Sequence, residues 1–292
     1  MQVVIHAGAH ITDEDRLVNT LITNRDMLAT NGTNIPHPNT YRKLLRDVLQ
    51  EAQHSGGTSS QARDVLLDAI LKGEAKDRLI LSNPGFFGTP KMAVSAGSLY
   101  GAAEQRLNIL KGIFEQDKIE LFMAICNPAT FLPAVYKKTP HTSFDEYMRH
   151  VDPREVRWSE MIARIREAYP DLAITIWCNE DLPMIWSQVL REMAGVDPTV
   201  EIAGEFNLLR EIMSDAGLKR FKSYLKSHPG MSEIQKRRVI AAFLDKFAKE
   251  DAIEEELDMP GWTEELIDQI TEIYDEDLYT IQRIPGINLI TP

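Results

Sequence analysis

The chain has 292 residues, 43% of them hydrophobic and 26% charged, which is typical of a globular protein with a sizeable core. Its formal net charge of −12 argues against nucleic acid or an anionic membrane as a partner, since the basic residues cluster only modestly. No segment approaches the roughly 18 consecutive apolar residues that a transmembrane helix needs. These properties favour the interior of the cell, and we expect a cytoplasmic protein without a signal peptide.

The first elements of the chain are a strand, a tight loop and a helix in immediate succession. Val3 to Ile5 form a β-branched run that predicts a strand, and Gly8 lies in the turn that follows. Helical spacing then predicts a helix from Thr12 to Ala29, with Thr12 as its N-terminal cap. In α/β proteins such a corner is a ready site for an anion, because backbone N–H groups and the helix dipole point towards it.

The remaining pattern alternates helices with short apolar runs. Three further strands are predicted, at residues 78–82, 119–125 and 172–177. Helices are predicted between them, at residues 41–52, 62–71, 102–114 and 154–168, with another opening near Pro128. This alternation predicts an α/β fold, in which a parallel sheet is flanked by helices.

The last third of the chain has a different pattern. No strand is predicted beyond Gly195, and helical spacing covers residues 205–225, 233–248 and 263–283. We therefore divide the chain into an α/β core, residues 1–195, and a helical C-terminal region, residues 196–292, that packs on the same domain. The two cysteines, Cys126 and Cys178, each end an apolar run and are predicted to be buried thiols.

Four stretches together resemble one family. His6 to His10, followed by a helix, resembles the opening of bacterial sulfotransferase-like proteins of the P-loop superfamily, which typically read His-x-Gly-x-His-Lys-Thr-Gly-Thr-Thr. Cys126 to Tyr136 is similar to their Arg-Asn/Asp-Pro segment, which ends in Ser-x-Tyr. Ile176 to Asp181 is similar to their late strand with an acidic pair, and Pro260 to Pro292 to their C-terminal helix and tail. The resemblance implies a sulfotransferase fold.

The resemblance also implies which residues would bind the sulfuryl donor, 3′-phosphoadenosine 5′-phosphosulfate. The family's loop Lys corresponds to Ile11, and its 3′-phosphate Arg and Ser correspond to Cys126 and Ala134, while Asn127 is kept. Thr12 is also kept, but the family's Gly-Thr-Thr is replaced by Asp13-Glu14-Asp15. The phosphate loop is therefore degenerate. The residues assigned to it are His6, Gly8, His10, Thr12, Asp13, Glu14, Asp15 and Arg16.

Electrostatics decides against donor binding at such a loop. Two unit charges about 5 Å apart interact by roughly 3 kcal/mol at an effective dielectric of about 20, whereas the helix dipole contributes only ~0.3 to 1 kcal/mol. We therefore expect neither the donor nor its product, 3′-phosphoadenosine 5′-phosphate, as a cofactor. Arg16 is the nearest basic residue, but it would have to fold back over the carboxylates.

Three interpretations of the acidic loop remain. In the structural one, which we favour, Asp13 to Asp15 fill the anion site with the protein's own charge and complement the helix dipole. In the second, His6, His10 and Asp13 bind a divalent metal, since imidazole and carboxylate are suitable ligands. In the third, a residual anion or nucleotide site persists. The later pair Glu180 and Asp181 is predicted to cap the helix that follows rather than to act as acid and base.

The leading functional hypothesis is a bacterial pseudoenzyme, a sulfotransferase homologue that has lost sulfuryl transfer and acts as a binding or regulatory protein. The alternative is an active transferase or hydrolase that uses the crevice above the first strand, with a metal or relocated basic residues, on a phosphorylated or sulfated ligand. The partner is then a small molecule or a protein. The sequence determines neither its identity nor the oligomeric state.

Overall fold

The computed structural model describes residues 1–57, 59, 61–71, 76–95, 97–249 and 259–292. Within these ranges the strands are β1 (Gln2–His6), β2 (Thr33–Asn34), β3 (Arg78–Ser82), β4 (Val94–Ser95), β5 (Ser98–Leu99), β6 (Lys118–Ile125), β7 (Ala173–Cys178) and β8 (Ile287–Ile290). Six of them form one sheet in the order β2-β3-β1-β6-β7-β8, while β4 and β5 form a separate antiparallel pair. Every pairing in the six-stranded sheet is parallel.

Helices cover both faces of this sheet and extend beyond it. They are α1 (Arg16–Thr23), α2 (Arg25–Thr30), α3 (Pro38–Ser55), α4 (Ala62–Leu71), α5 (Ala103–Ile113), α6 (Pro128–Tyr136), α7 (Phe144–Met148), α8 (Trp158–Ala168), α9 (Leu182–Ala194), α10 (Asn207–Ile212), α11 (Asp215–Ser227), α12 (Glu233–Phe247) and α13 (Glu264–Gln282). None of the helices in the described part of the chain combines the length and apolar character of a membrane span.

The predicted α/β architecture is confirmed, and β1 is central in the sheet. Its residues are buried on both faces: Val3 and Ile5 join one hydrophobic cluster, and Val4 joins the other. A strand covered on both sides must be apolar at successive positions, which is why the β-branched run was a reliable signal. Gly8 follows directly, so the loop emerges at the C-terminal edge of the sheet between β3 and β6.

The prediction of no strand beyond Gly195 is wrong. Four residues separate β8 from the end of α13, and β8 pairs in parallel with β7, where Ile174 is opposite Ile287 and Trp177 is opposite Ile290. A four-residue edge strand with the polar Asn288 inside it has too little local signal to predict, because its stability comes from the pairing. Residues 196–292 are therefore not wholly helical, and the division of the chain at residue 195 stays a prediction.

Two predicted helices are each broken in two. The helix predicted from Thr12 to Ala29 begins only at Arg16 and is interrupted at Asn24, whose side-chain amide donates to the carbonyls of Thr20 and Ala203. The helix predicted over residues 205–225 is interrupted at Ser214, which caps α11 by accepting the Gly217 N–H. In both cases a side chain competes with the helical backbone for hydrogen bonds.

The C-terminal helices divide between two cores. Helices α10 to α12 bury a small cluster of their own, formed by Leu209, Met213, Leu218, Phe221 and Ile240. Helix α13 packs instead into the main core through three residues on one face, Ile270, Tyr274 and Ile281. The main core is therefore completed by residues far apart in the sequence.

A buried carboxylate of α13 fixes the start of α8. Asp277 is 4% exposed, and its Oδ2 accepts the backbone N–H groups of Trp158 and Ser159 at 2.8 and 3.1 Å. The first N–H groups of a helix have no partner within it, and a negative charge there is favoured by the helix dipole. Asp277 therefore joins α13 to α8 as well as capping it.

We expect Asp277→Ala to lower the free energy of unfolding by about 1 to 3 kcal/mol, because two buried N–H groups lose their acceptor. Asp275→Ala, at an exposed position of the same helix, is the matched control and should change it by less than about 0.5 kcal/mol. Urea denaturation followed by circular dichroism measures both. Equal losses in the two variants would contradict the capping role.

Candidate functional site

The loop after β1 encloses a cavity of about 390 Å³ at the C-terminal edge of the sheet. The loop runs beside β6, since the Ala7 N–H donates to the Phe122 carbonyl and the Ala9 N–H to the Ala124 carbonyl. A volume of this size suits a small molecule. The cavity is lined by His6, Gly8, Ala9, His10, Ile11, Thr12, Asp13, Glu14, Asp15, Ser82, Pro84, Pro90 and Lys138.

His6 forms the floor of the cavity. It is 2% exposed, its ring stacks on Trp177, and its Nδ1 is hydrogen-bonded to Ser82 Oγ at 2.9 Å. Burial lowers the pKa of His6 to about 4, so the ring is neutral at neutral pH. Its Nε2 has no hydrogen-bond partner among the described residues, and it lies 3.8 Å from the point that a Cβ on Gly8 would occupy. His6 therefore carries one buried polar atom without a partner beneath the cavity.

His10 is fixed by a tyrosine that the sequence did not single out. The Tyr100 hydroxyl accepts the His10 backbone N–H at 2.9 Å and lies 2.8 Å from His10 Nδ1, and the ring also bonds the Gly88 carbonyl. Burial lowers the pKa of His10 to about 4 as well. His10 is therefore a neutral, hydrogen-bonded side chain in the cavity wall.

Thr12 does not cap α1, and that prediction is wrong. Its hydroxyl donates to the Ala9 carbonyl at 2.7 Å, and the helix begins at Arg16. The N-cap position is occupied by Asp15, whose side chain makes no capping bond. The capping contacts come from Asp13, whose Oδ1 accepts the Leu17 N–H at 2.8 Å while its carbonyl accepts the Arg16 N–H. The chain makes extra turns before the helix, with positive φ at Ile11, Glu14 and Asp15, so the helix begins later in the chain than the sequence pattern suggested.

Asp13 and Asp15 are in opposite electrostatic states. Asp13 is 7% exposed, and burial, with a smaller contribution from Asp15, raises its pKa to about 7. Asp15 instead forms a bidentate ion pair with Arg42 of α3, at 2.8 and 2.5 Å, which lowers the pKa of its carboxyl. Arg42 also donates to the Ser82 carbonyl. Asp15 is therefore charged at neutral pH, whereas Asp13 retains a proton up to a pH of about 7.

The other charged residues of the loop are at the surface. Arg16 contacts Glu211 of α10 at 2.8 Å and Glu14 at 3.4 Å. It therefore does not fold over the cavity. Glu14 lines the rim of the cavity, with 60% of its side chain exposed.

The segment matched to the family's 3′-phosphate site lies outside the lining of this cavity. Cys126 is buried, Ala134 is half-buried on α6, and Asn127 caps α6 by accepting the Ala129 N–H. The Asn127 N–H itself donates to Glu180 Oε1 at 2.6 Å. Glu180 does not cap the following helix as predicted, because its carboxylate reaches back to the neighbouring strand end, where burial raises its pKa.

The proposed metal ligands His6, His10 and Asp13 all border the cavity but are committed to other contacts. No group of three histidine, cysteine, aspartate or glutamate residues in the described ranges is arranged to hold a metal ion. The His10 ring is held by Tyr100 and Gly88, and Asp13 accepts the helix N–H. This donor set does not fit a divalent metal.

Four residues of the site were missed from the sequence: Ser82, Arg42, Tyr100 and Lys138. Ser82 could have been found, since it ends a predicted strand and is paired in register with His6. Arg42 and Tyr100 had no local signal, because they reach the loop from elements 27 and 90 positions away. Lys138, exposed after α6, lines the cavity without an ion pair to any residue that the structure describes.

Fold and site together define a parallel α/β domain with a small-molecule-sized cavity above its central strand. No family model matches the chain, and no curated protein matches it. Among solved structures, the chain is similar to a sulfotransferase from Alicyclobacillus acidocaldarius, with 12% identity and a TM-score of 0.42 over 82% of this chain and 97% of that one. A similarity of this size supports no assignment of activity.

The pKa of Asp13 predicts how stability depends on pH. Between pH values of about 4 and 7 the folded protein retains a proton that the unfolded chain has released. The free energy of unfolding that Asp13 contributes therefore falls as pH rises through this window, by at most ~1.4 kcal/mol per pH unit. We expect Asp13→Asn, which still accepts the Leu17 N–H but cannot ionise, to remove this slope and to be more stable than the wild type at pH about 7.5.

Asp15→Asn is the matched variant, with the opposite sign. Losing the partly exposed ion pair to Arg42 should cost about 0.5 to 1 kcal/mol at neutral pH. Urea denaturation from pH about 4.5 to 7.5 measures both variants against the wild type. His6 and His10 are present in all three proteins, so their contribution to the pH dependence is shared. An unchanged slope in Asp13→Asn would show that Asp13 is ionised throughout.

Proposed function

We propose that this protein is a sulfotransferase homologue that no longer transfers a sulfuryl group and instead binds a small, uncharged or cationic polar molecule in the cavity above β1. The single observation that supports it best is that carboxylates of the protein itself accept backbone N–H groups at two neighbouring strand-to-helix junctions. Asp13 accepts the Leu17 N–H after β1, and Glu180 accepts the Asn127 N–H after β6.

These two junctions are the places where the family resemblance would put the phosphates of the donor. A backbone N–H that already donates to a carboxyl oxygen cannot also serve a phosphate, and the carboxyl group repels the phosphate whenever it is ionised. One such charge pair about 5 Å apart costs roughly 3 kcal/mol at an effective dielectric of about 20. The family's compensating Lys, Arg and Ser are absent, since Ile11, Cys126 and Ala134 stand in their positions.

The polar atoms of the cavity favour a different kind of ligand. His6 and His10 are neutral, Asp15 is paired with Arg42, and Glu14 balances Lys138 in charge. Asp13 adds a negative charge as it ionises, with a pKa of about 7. The carboxyls of Asp13 and Glu14, which both line the cavity, can accept a hydrogen bond from a hydroxyl or an amino group. A ligand of this type gains hydrogen bonds without meeting a like charge.

The proposal predicts weak binding of the product 3′-phosphoadenosine 5′-phosphate. Isothermal titration calorimetry at near-physiological salt should give a dissociation constant no tighter than ~100 μM, about −5.5 kcal/mol. In the double variant Asp13→Asn with Glu180→Gln, affinity should improve at least about tenfold, because the amides no longer repel phosphate. Asp26→Asn with Glu264→Gln, which removes two exposed charges, is the control. Micromolar binding by the wild type would overturn the proposal.

One observation favours the alternative of an active enzyme on a phosphorylated or sulfated ligand. Lys138 lines the cavity and has no ion pair within the described ranges, so its ammonium group is available to bind an anion in place of the family's loop Lys. If Lys138 neutralises a phosphate, the wild type binds 3′-phosphoadenosine 5′-phosphate at micromolar concentration, and Lys138→Gln weakens that binding about tenfold or more. Lys137→Gln, at the exposed neighbour outside the cavity, should leave it unchanged.

A further inference from the structure

A second cavity, of about 540 Å³, lies on the far side of the loop that follows β3, between α3 and α5. Four basic side chains line it, Arg42, Lys43, Arg46 and Arg106, and no carboxylate does. The remaining lining residues are uncharged: Asn39, Leu49, Gln50, Asn83, Gly85, Gly88 and Thr89. Such a concentration of positive charge is unexpected in a chain with a net charge of −12.

Arg106 is the residue that sets this cavity apart. It is 9% exposed, its Nε is buried without a hydrogen-bond partner, and no described residue forms an ion pair with its guanidinium. Burial lowers its pKa. By contrast, the buried Arg78 and Arg191 are paired with Glu120 and Glu205. An uncompensated buried charge is costly, and an anion bound in the cavity that Arg106 lines would offset that cost.

Helix α3 supplies the other three cations from one face. Arg42, Lys43 and Arg46 follow the spacing of a single helical turn. Arg42 forms an ion pair with Asp15, and Arg46, among the described residues, pairs with the exposed Asp47 at 3.5 Å. Lys43 has no ion pair within the described ranges. Two cations, Lys43 and Arg106, are therefore available to a ligand with two negative charges.

We propose that this basic cavity binds a small organic oxyanion, a phosphate or sulfate ester. A guanidinium matches the geometry of such oxyanions through paired hydrogen bonds, and a cavity of this volume suits a small molecule. The proposal does not rest on the function proposed for the first cavity, because the two are separated by the loop of Asn83 to Pro90.

The test uses phenyl phosphate and phenyl sulfate as probes of the full-length chain, by isothermal titration calorimetry at low salt. We expect one of them to bind with a dissociation constant of ~0.1 to 1 mM. Arg106→Gln should weaken that binding at least about tenfold, and Arg106→Lys, which keeps the charge, by less. Lys43→Gln should weaken it several-fold. Lys118→Gln, at the N-terminal end of β6, is the control and should leave the binding of the probe unchanged.

Tighter binding of phenyl phosphate assigns phosphate esters, and tighter binding of phenyl sulfate assigns sulfate esters. Absence of binding by both probes, or equal binding by Arg106→Gln and Lys118→Gln, overturns the proposal. Arg106→Gln removes an unpaired buried charge, so its urea midpoint should not fall below that of the wild type; if it does not fold, the exposed Lys43→Gln decides. The double variant Asp13→Asn with Glu180→Gln is expected to bind 3′-phosphoadenosine 5′-phosphate more tightly than the wild type. That gain should persist when Arg106→Gln is added, so a failure of one proposal is distinguishable from a failure of the other.

Discussion

The backbone N–H groups at the start of α1 must be satisfied at a point where the chain leaves a fully buried strand, and Asp13 meets this requirement. Its carboxylate is buried as a consequence, and its pKa rises to about 7. The adjacent Asp15 is paired instead with Arg42 of α3, which lowers the pKa of its carboxyl. The position of α3 against the end of β3, where Arg42 also bonds the Ser82 carbonyl, is thereby tied to the loop after β1.

The same solution recurs one strand further along the sheet. Glu180, from the end of β7, accepts the N–H of Asn127 at the end of β6. Two neighbouring junctions of a kind that suits external anions are thus occupied by the protein's own carboxyl groups. The positive charge that such sites usually carry is found elsewhere, in the cavity lined by Lys43 and Arg106. Arg42 lies between the two cavities and links the acidic one to the basic one.

Elements distant in the sequence complete both the core and the site. Helix α13 contributes Tyr274, which reaches Glu180 at 3.3 Å, and Asp277, which starts α8. It also leads into β8 at the edge of the sheet. The C-terminal residues therefore support the strand ends that the candidate site is built on, whereas α10 to α12 bury a separate cluster.

The sequence by itself determined the four central strands β1, β3, β6 and β7, because a strand buried on both faces is apolar at successive positions, as Val3 to Ile5 are. It also placed His6, Gly8 and Asp13 at one corner, since they are adjacent in the chain. Only the tertiary structure decided that Asp13 rather than Thr12 caps the helix, that Arg42 neutralises Asp15, and that Ile287–Ile290 form a strand. Each of these depends on a hydrogen bond or an ion pair whose geometry, often between residues far apart in the chain, leaves no periodic pattern in the sequence.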